Sequence, residues 1–116
     1  MAVTLKELAF RNLTFAEEKK KVWTLKDNIG MIHATYTKND QKFMLTLKLK
    51  SGFRTDGASV PSLFTWFLPK WDKDNMTYNC AAIIHDCLYS AKGIKGTFTR
   101  EECDDFFRGG VRVAGY

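Results

Sequence analysis

The stretch MIHATYTKNDQKFMLTLKLK, residues 31–50, decides the fold, because apolar and polar side chains alternate on both sides of a turn. After the turn, one face of the segment is apolar throughout: Phe43, Leu45, Leu47 and Leu49. Alternation with a period of two is typical of a strand with one buried face. The residues KNDQ at 38–41 have the chemistry of a tight turn. The pattern therefore predicts an antiparallel hairpin.

A further strand is predicted upstream of this hairpin. The residues VWTL at 22–25 are rich in β-branched and aromatic side chains, and KDNIG at 26–30 resembles a turn. Together these segments predict a three-stranded antiparallel meander over residues 22–50. The first 21 residues are mixed: LKELAF fits a short strand or a helical turn, and AEEKKK fits a charged, solvated stretch.

Two helices are predicted in the last part of the chain. Residues 74–90 begin with good capping residues and continue as a mainly apolar run, which the glycines of AKGIKG end. Thr99 and Glu102 have the spacing of a capping box and predict the start of a second, short helix. Because Gly109 and Gly110 follow, this helix is expected to end at about residue 107 or 108.

These elements predict an α+β fold: a small antiparallel meander, a long structured apolar loop at 51–75, and two C-terminal helices. The length of 116 residues fits a single domain, residues 1–116, with a modest core. No apolar run approaches the ~20 residues of a transmembrane helix. The N-terminus lacks the basic-then-apolar pattern of a Sec-type export signal, so we expect no export by that route.

Charge and cysteine content bear on partners and compartment. The net charge of +5 suits an anionic partner such as a phospholipid surface or an acidic protein, and nucleic acid stays open. Alternatively the charge only keeps the domain soluble, since the lysines are scattered. The three cysteines form no CxxC pair, which favours reduced thiols in a cytosol-like compartment.

The candidate site lies in AAIIHDCLYS, residues 81–90, where His85 and Asp86 interrupt an apolar run. On a helix, His85 shares a face with Tyr89, whereas Asp86 is rotated by about 100°. The short connection to the second helix would allow it to return antiparallel, so an aspartate of CDDFF could meet His85. A carboxylate fixes the tautomer of an imidazole and raises its basicity, which is a general-base arrangement.

Three other interpretations of His85 are open. It could be a core histidine whose hydrogen bonds serve packing alone. It could share a zinc ion with cysteines, although Cys80, Cys87 and Cys103 match no standard zinc spacing. It could also activate Cys87 or Cys103 as a nucleophile.

The loop at 51–75 contributes two further sets of candidates. The residues TDGAS can turn sharply and present backbone groups to a ligand, and they nominate Thr55, Asp56, Gly57 and Ser59. Asp56 is expected to accept backbone amides of this turn. Large apolar residues follow: Leu63, Phe64, Trp66, Phe67, Leu68 and Trp71. They either cover the core, or form an exposed rim at Trp66, Phe67 and Trp71 that suits a lipid interface or a protein groove.

Three motifs in this order carry a family resemblance: GFRTDGASVP, HDCLY, and the set Arg100, Cys103, Asp104 and Phe107. Over residues 22 to 108 or so, the chain resembles a family of short phage and prophage proteins known as domain of unknown function 1353. The resemblance implies a bacteriophage origin, and hence a place in the host cytoplasm or the virion. It implies no established activity.

A second resemblance is narrower. AAIIHDCLYS followed by ECDDFF is similar to the active-site helices of phospholipases A2. In that family the histidine activates water, the adjacent aspartate binds calcium, and the tyrosine and the later aspartate orient the histidine. The resemblance implies that His85 is the base, Asp86 the calcium ligand, and Tyr89 and Asp104 the supports. The chain departs from that family at the calcium loop, where SGFRTDGAS replaces a YxGxG pattern, and it lacks the secreted enzymes' disulfides.

The function expected from the sequence is a phage-encoded, calcium-dependent hydrolase that cleaves esters of lipid or cell envelope with a His–Asp dyad. The alternative is a non-catalytic phage protein, either a virion or tail component or an inhibitor that binds a host factor. In that case the histidine and aspartate would be a buried structural pair.

Overall fold

The computed structural model describes residues 2–57, 68–89 and 98–116, apart from the side chain of Tyr89. In these ranges the chain forms six strands and two helices, which confirms the α+β class. The elements are β1 (Thr4–Arg11), β2 (Phe15–Lys19), β3 (Val22–Leu25), β4 (Ile29–Lys38), β5 (Gln41–Lys50), β6 (Arg54–Thr55), α1 (Met76–Tyr89) and α2 (Arg100–Val113).

The predicted hairpin is confirmed as β4 and β5, which pair antiparallel from Ile29↔Lys50 to Lys38↔Gln41. Its two-residue turn is formed by Asn39 and Asp40, whose φ angles are 56° and 61°. Positive φ at both central residues matches the twist of the flanking strands, and asparagine and aspartate tolerate it better than most side chains. The turn residues therefore fix the register of the longest strand pair.

The predicted three-stranded meander is wrong in one respect, because β3 belongs to a different sheet. The structure has one sheet with the order β1-β4-β5 and another with the order β2-β3-β6. The edge of β4 that the meander assigned to β3 is occupied by β1, from Thr4↔Thr37 to Arg11↔Met31. The strand β3 instead pairs with β2, so the stretch AEEKKK is partly a strand rather than only a solvated segment.

The core lies between the first sheet and the helices. Alternate residues of β4 point inward, and Ile32, Ala34 and Tyr36 are buried. They pack with apolar residues of α1 and α2, among them Ile84 and Phe106, in one cluster. The residues that alternate with them, such as His33, lie on the face of the sheet that points away from the helices.

Helix α2 begins as predicted but does not end as predicted. The Glu102 amide donates to the Thr99 hydroxyl at 3.1 Å, and the Thr99 amide donates to the Glu102 carboxylate at 2.9 Å, which confirms the capping box. However, the helix continues through Gly109 and Gly110 to Val113. A Cβ atom at Gly110 would lie 2.3 Å from that of Ala81 in α1. The glycines therefore allow close packing and do not terminate the helix.

In the described ranges, neither helix has the length and apolarity that a membrane crossing requires.

Candidate functional site

Helix α1 carries the candidate base. Its start is fixed by Asn75, whose side-chain oxygen accepts the Tyr78 amide at 3.2 Å, so the helix begins slightly later than predicted. Ala81 and His85 are four residues apart and share a face. The close contact of Ala81 with Gly110 therefore brings the same face of α1, one turn further on, against α2.

His85 and Asp104 meet across the two helices. The distance from His85 Nε2 to Asp104 Oδ1 is 3.0 Å, so the predicted hydrogen bond is confirmed. His85 is 8% exposed, while the side chain of Asp104 is 30% exposed. In the neutral imidazole this bond favours a proton on Nε2 and a lone pair on Nδ1. That tautomer is the one a general base needs if it takes a proton at Nδ1.

Asp86 adds a second carboxylate on the other side of the imidazole ring. Its Oδ1 atom lies 3.9 Å from His85 Nδ1, too far for a good hydrogen bond, and its side chain is 34% exposed. Burial lowers the pKa of His85, but the interactions with Asp86 and Asp104 together outweigh burial and raise the pKa above its ordinary value of 6.5. The site is thus an imidazole of raised basicity between two carboxylates.

Asp105, the residue after Asp104 in α2, has another role. The Val3 amide donates to Asp105 Oδ2 at 3.1 Å, so Asp105 attaches the N-terminal strand to the helix. Helix geometry left both aspartates of CDDFF open as partners for His85, the phospholipase resemblance implied Asp104, and the structure shows Asp104. Phe107, one turn after Asp104, places its ring 5.7 Å from the imidazole and forms part of the wall of the site.

The remaining catalytic candidate is Tyr89. It is the last residue of α1, and its side chain lies outside what the structure describes. Its role in orienting His85 stays a prediction.

The residues TDG lie against a different part of the fold. Thr55 is buried, pairs with Trp23, and accepts the Gly57 amide through Oγ1 at 3.1 Å. Gly57 has a φ of +86°, and a Cβ atom added at Gly57 would lie 2.3 Å from the carbonyl oxygen of Lys70. The prediction that Asp56 accepts the Gly57 amide is wrong, because this amide donates to Thr55 and the side chain of Asp56 is exposed. The amides of Ala58 and Ser59 lie outside the described residues. These contacts connect the second sheet to the segment before α1. Ser59 lies outside the described residues.

Trp71 is the one predicted interface residue that the structure describes; Trp66 and Phe67 lie outside the described ranges. The ring of Trp71 stacks on that of Trp23 with a centroid distance of 4.8 Å, and Phe15 contacts Trp71 edge-on with a centroid distance of 5.1 Å. Trp71 also packs against the main core cluster while remaining partly exposed. It therefore matches the core-covering alternative more closely than a fully exposed rim.

The thiols argue against a cysteine nucleophile. Burial raises the pKa of Cys80 to about 12 and that of Cys87 to about 11. Burial also raises the pKa of Cys103. Because the thiolate is the reactive form, these cysteines would be poor nucleophiles near neutral pH.

A metal centre finds little support in the part of the chain that the structure describes. No group of three or more histidine, cysteine or acidic side chains there could hold an ion. Calcium prefers six to eight oxygen ligands, and Asp86 by itself supplies one carboxylate. The described residues therefore hold at most part of the calcium site that the phospholipase resemblance implies, and calcium binding at Asp86 stays a prediction.

Sequence reasoning missed a group of residues around the start of α1. Asn79 is fully buried, accepts the Asp72 amide at 2.9 Å and donates to the Asp72 carbonyl at 2.7 Å. Asn79 thereby fixes the segment before the helix. Two asparagines four residues apart, Asn75 and Asn79, were the available signal, since a helix interior rarely buries an asparagine without such a purpose.

Comparison with known proteins places the chain in a family. The family described as "Protein of unknown function (DUF1353)" matches residues 31–116, so the chain belongs to it. The match begins later than the predicted resemblance and extends to the last residue. It includes His85, Asp86 and Asp104. No curated protein and no solved structure matches the chain.

Proposed function

We propose that this chain is a small phage-encoded hydrolase in which His85 is the general base and Asp104 its positioning residue. The reaction class is hydrolysis of an ester in lipid or cell envelope. His85 would take a proton from water at Nδ1 as the water attacks the ester carbonyl, and it would return that proton to the alkoxide that leaves when the ester C–O bond of the tetrahedral intermediate breaks. Asp104 would hold the ring and stabilise the imidazolium that forms.

The observation that carries the proposal is the 3.0 Å bond between His85 Nε2 and Asp104 Oδ1, with Asp86 beside Nδ1. A carboxylate-held histidine of raised pKa is the form of imidazole that general-base catalysis uses. The raised pKa values of Cys80 and Cys87 disfavour a competing thiolate nucleophile. The phospholipase resemblance of the two helices supports the ester class, and the net charge of +5 suits an anionic lipid surface.

A second candidate function is favoured by the burial of His85. At 8% exposure, the histidine could connect α1 to α2 without taking part in chemistry. The chain would then be a virion or tail component, or an inhibitor that binds a host protein. This candidate predicts that the His85–Asp104 pair matters for stability and that no substrate is hydrolysed.

The test is an esterase assay on short-chain phospholipid micelles, run once with calcium and once with a chelator. In the parent protein we expect turnover in at least one condition. His85→Asn should lower the rate by about 10²- to 10⁴-fold, the usual cost of losing a general base. Asp104→Asn should lower it as well, since the ring loses its orientation.

The matched control is His33→Asn. His33 is the only other histidine, and its Nδ1 atom lies 3.0 Å from Thr46 Oγ1 on the sheet face away from the helices. The substitution is chemically identical to that at position 85 and should leave the rate unchanged. A parent protein that is inert in both conditions would defeat the hydrolase proposal and favour the non-catalytic role.

A further inference from the structure

A pocket of about 530 Å³ lies between the second sheet and the segment that precedes α1. We call it the tryptophan pocket. Its principal lining residues are Trp23, Trp71, Glu17, Asp72, Lys73 and Asp74. Asp74 and His85 are separated by most of α1, which corresponds to roughly 15 Å along the helix axis. The pocket is therefore distinct from the dyad, and its function does not depend on the proposed hydrolysis.

The aromatic wall of the tryptophan pocket is held in a fixed geometry. Trp23 and Trp71 are nearly parallel, at an interplanar angle of 10° and a centroid distance of 4.8 Å. Each indole therefore covers one face of the other, and only the indole surface that still lines the pocket can meet a ligand. Phe15 supports Trp71 from its edge. An indole face attracts a cation because of its electron-rich π system, and tryptophan does so most strongly among the aromatic side chains.

The segment that contributes Trp71 and Asp72 is also fixed before any ligand binds. The buried side chain of Asn79 makes two hydrogen bonds to the backbone of Asp72. The Tyr78 hydroxyl donates to the Pro69 carbonyl, and the Tyr116 hydroxyl donates to the carboxylate of Asp72. A binding site that is ordered in advance loses less conformational entropy when a ligand binds.

The charge of the tryptophan pocket is opposite to that of the chain. Three acidic residues, Glu17, Asp72 and Asp74, and one lysine, Lys73, line the pocket, which gives it a formal charge of −2 in a chain of +5. The hydrogen bond from Tyr116, and then that from the Asp74 amide, lower the pKa of Asp72 and keep it ionised. In the described residues, none of these four groups forms an ion pair.

We propose that the tryptophan pocket binds a guanidinium group. A guanidinium is planar, so it can lie flat on an indole face, and its N–H groups can at the same time donate to the carboxylates. A quaternary ammonium has the same charge but no donor, so it would leave the carboxylates without hydrogen bonds. The guanidinium would come from an arginine side chain of a partner peptide or from a free guanidinium compound.

The proposal is tested by titrating the ¹⁵N-labelled full chain and following the indole N–H resonances of Trp23 and Trp71. The probes are the peptide acetyl-Gly-Arg-Gly-amide, its lysine counterpart, agmatine and choline. We expect saturable shifts with the arginine peptide and with agmatine, at a dissociation constant on the order of 1 mM. The lysine peptide and choline should bind at least about threefold more weakly, because they lack the planar set of donors. The stronger of the two guanidinium probes identifies the source of the ligand.

The variant that tests the charge is Asp74→Asn, because Asp74 is exposed and its carboxylate takes part in no hydrogen bond in the described residues. We expect it to weaken arginine-peptide binding by about three- to tenfold, through loss of one charge-assisted hydrogen bond. Glu17→Gln is a second variant, since glutamine can still accept the Lys21 amide that Glu17 holds at 2.8 Å.

The matched control is Asp40→Asn. Asp40 is exposed in the β4–β5 turn at a φ of 61°, a conformation that asparagine also adopts. The Asp40→Asn substitution removes one negative charge outside the tryptophan pocket and should leave binding of the arginine peptide unchanged. Any one of three results would overturn the proposal. The first is that the arginine peptide gives no saturable shift up to about 50 mM, far above the expected dissociation constant. The second is that choline binds as tightly as that peptide, and the third is that the control and both pocket variants weaken peptide binding equally.

Discussion

Substitution of Gly110 by alanine tests whether close helix packing builds the site. The added Cβ would lie 2.3 Å from the Cβ of Ala81 and 3.2 Å from its Cα. Carbon atoms in favourable contact are about 3.5 to 4.0 Å apart, so the helices would have to separate by about 1 Å or more. Neither Cβ can rotate away, because both are attached directly to the backbone. The separation would also lengthen the 3.0 Å bond between His85 and Asp104.

The expected change in the free energy of unfolding follows from two opposing terms. Overpacking costs about 1 to 3 kcal/mol, and here the upper part of this range applies because the contact is rigid. Replacing glycine by alanine inside a helix stabilises it by about 1 kcal/mol. We therefore expect Gly110→Ala to lower the stability by about 1 to 2 kcal/mol. Urea unfolding followed by far-ultraviolet circular dichroism measures this difference.

The double variant Ala81→Gly, Gly110→Ala supplies the control. It moves the methyl group from one helix to the other, so the clash is removed and the helix propensities nearly cancel. Its stability should lie within about 1 kcal/mol of the parent, and the two substitutions should be strongly non-additive. If Gly110→Ala alone is as stable as the parent or more stable, Gly110 has no packing role and the reasoning is refuted.

Three further predictions concern the dyad, the helix cap and the thiols. The pKa of His85 is raised in the folded chain above the value of 6.5 expected in the unfolded chain. The stabilisation that the protonated imidazole contributes is therefore fully present below pH 6.5 and is lost as the pH rises through the folded pKa. The stability difference between the parent and His85→Asn should therefore shrink between mildly acidic and alkaline pH; a constant or growing difference would contradict it. Thr99→Ala should lower the free energy of unfolding by about 1 kcal/mol in urea titrations, with loss of the capping box; an unchanged midpoint would show that the cap is not needed. Cys80, which is buried and has a pKa of about 12, should react with a disulfide reagent at mildly alkaline pH only after unfolding, and fast labelling of Cys80 in the native chain would argue against its burial.

The parts of the fold that the sequence predicted correctly are those determined by near neighbours in the chain. The β4–β5 hairpin depends on alternation and on two turn residues, Asn39 and Asp40. The start of α2 depends on the spacing of Thr99 and Glu102. In each case the interacting groups are close in sequence, so composition and spacing are sufficient evidence.

The parts that could not be predicted depend on contacts between distant segments. The strand β3 has the composition of a strand, but composition does not choose between β2 and β4 as its partner. The pair Gly109 and Gly110 has the local signature of a helix end. Only the position of Leu5 and Ala81 against it shows that small residues are needed for packing. The tryptophan pocket is lined by residues of β2 and β3 and of a segment some fifty residues later in the chain, so no local sequence pattern predicts it.

The chemistry of the His85–Asp104 pair favours a function beyond joining two helices. Removing a histidine and a carboxylate from water costs free energy, and their mutual attraction often only offsets that cost. Two apolar side chains of similar size would join α1 and α2 at least as well, since the surrounding cluster is already apolar. A polar pair at this position is therefore poorly explained by stability alone. The two carboxylates beside the ring are each about one-third exposed, whereas the ring itself is largely buried. This arrangement keeps the pKa of His85 raised while leaving charged groups in contact with solvent, which is the environment that the proposed general base would use.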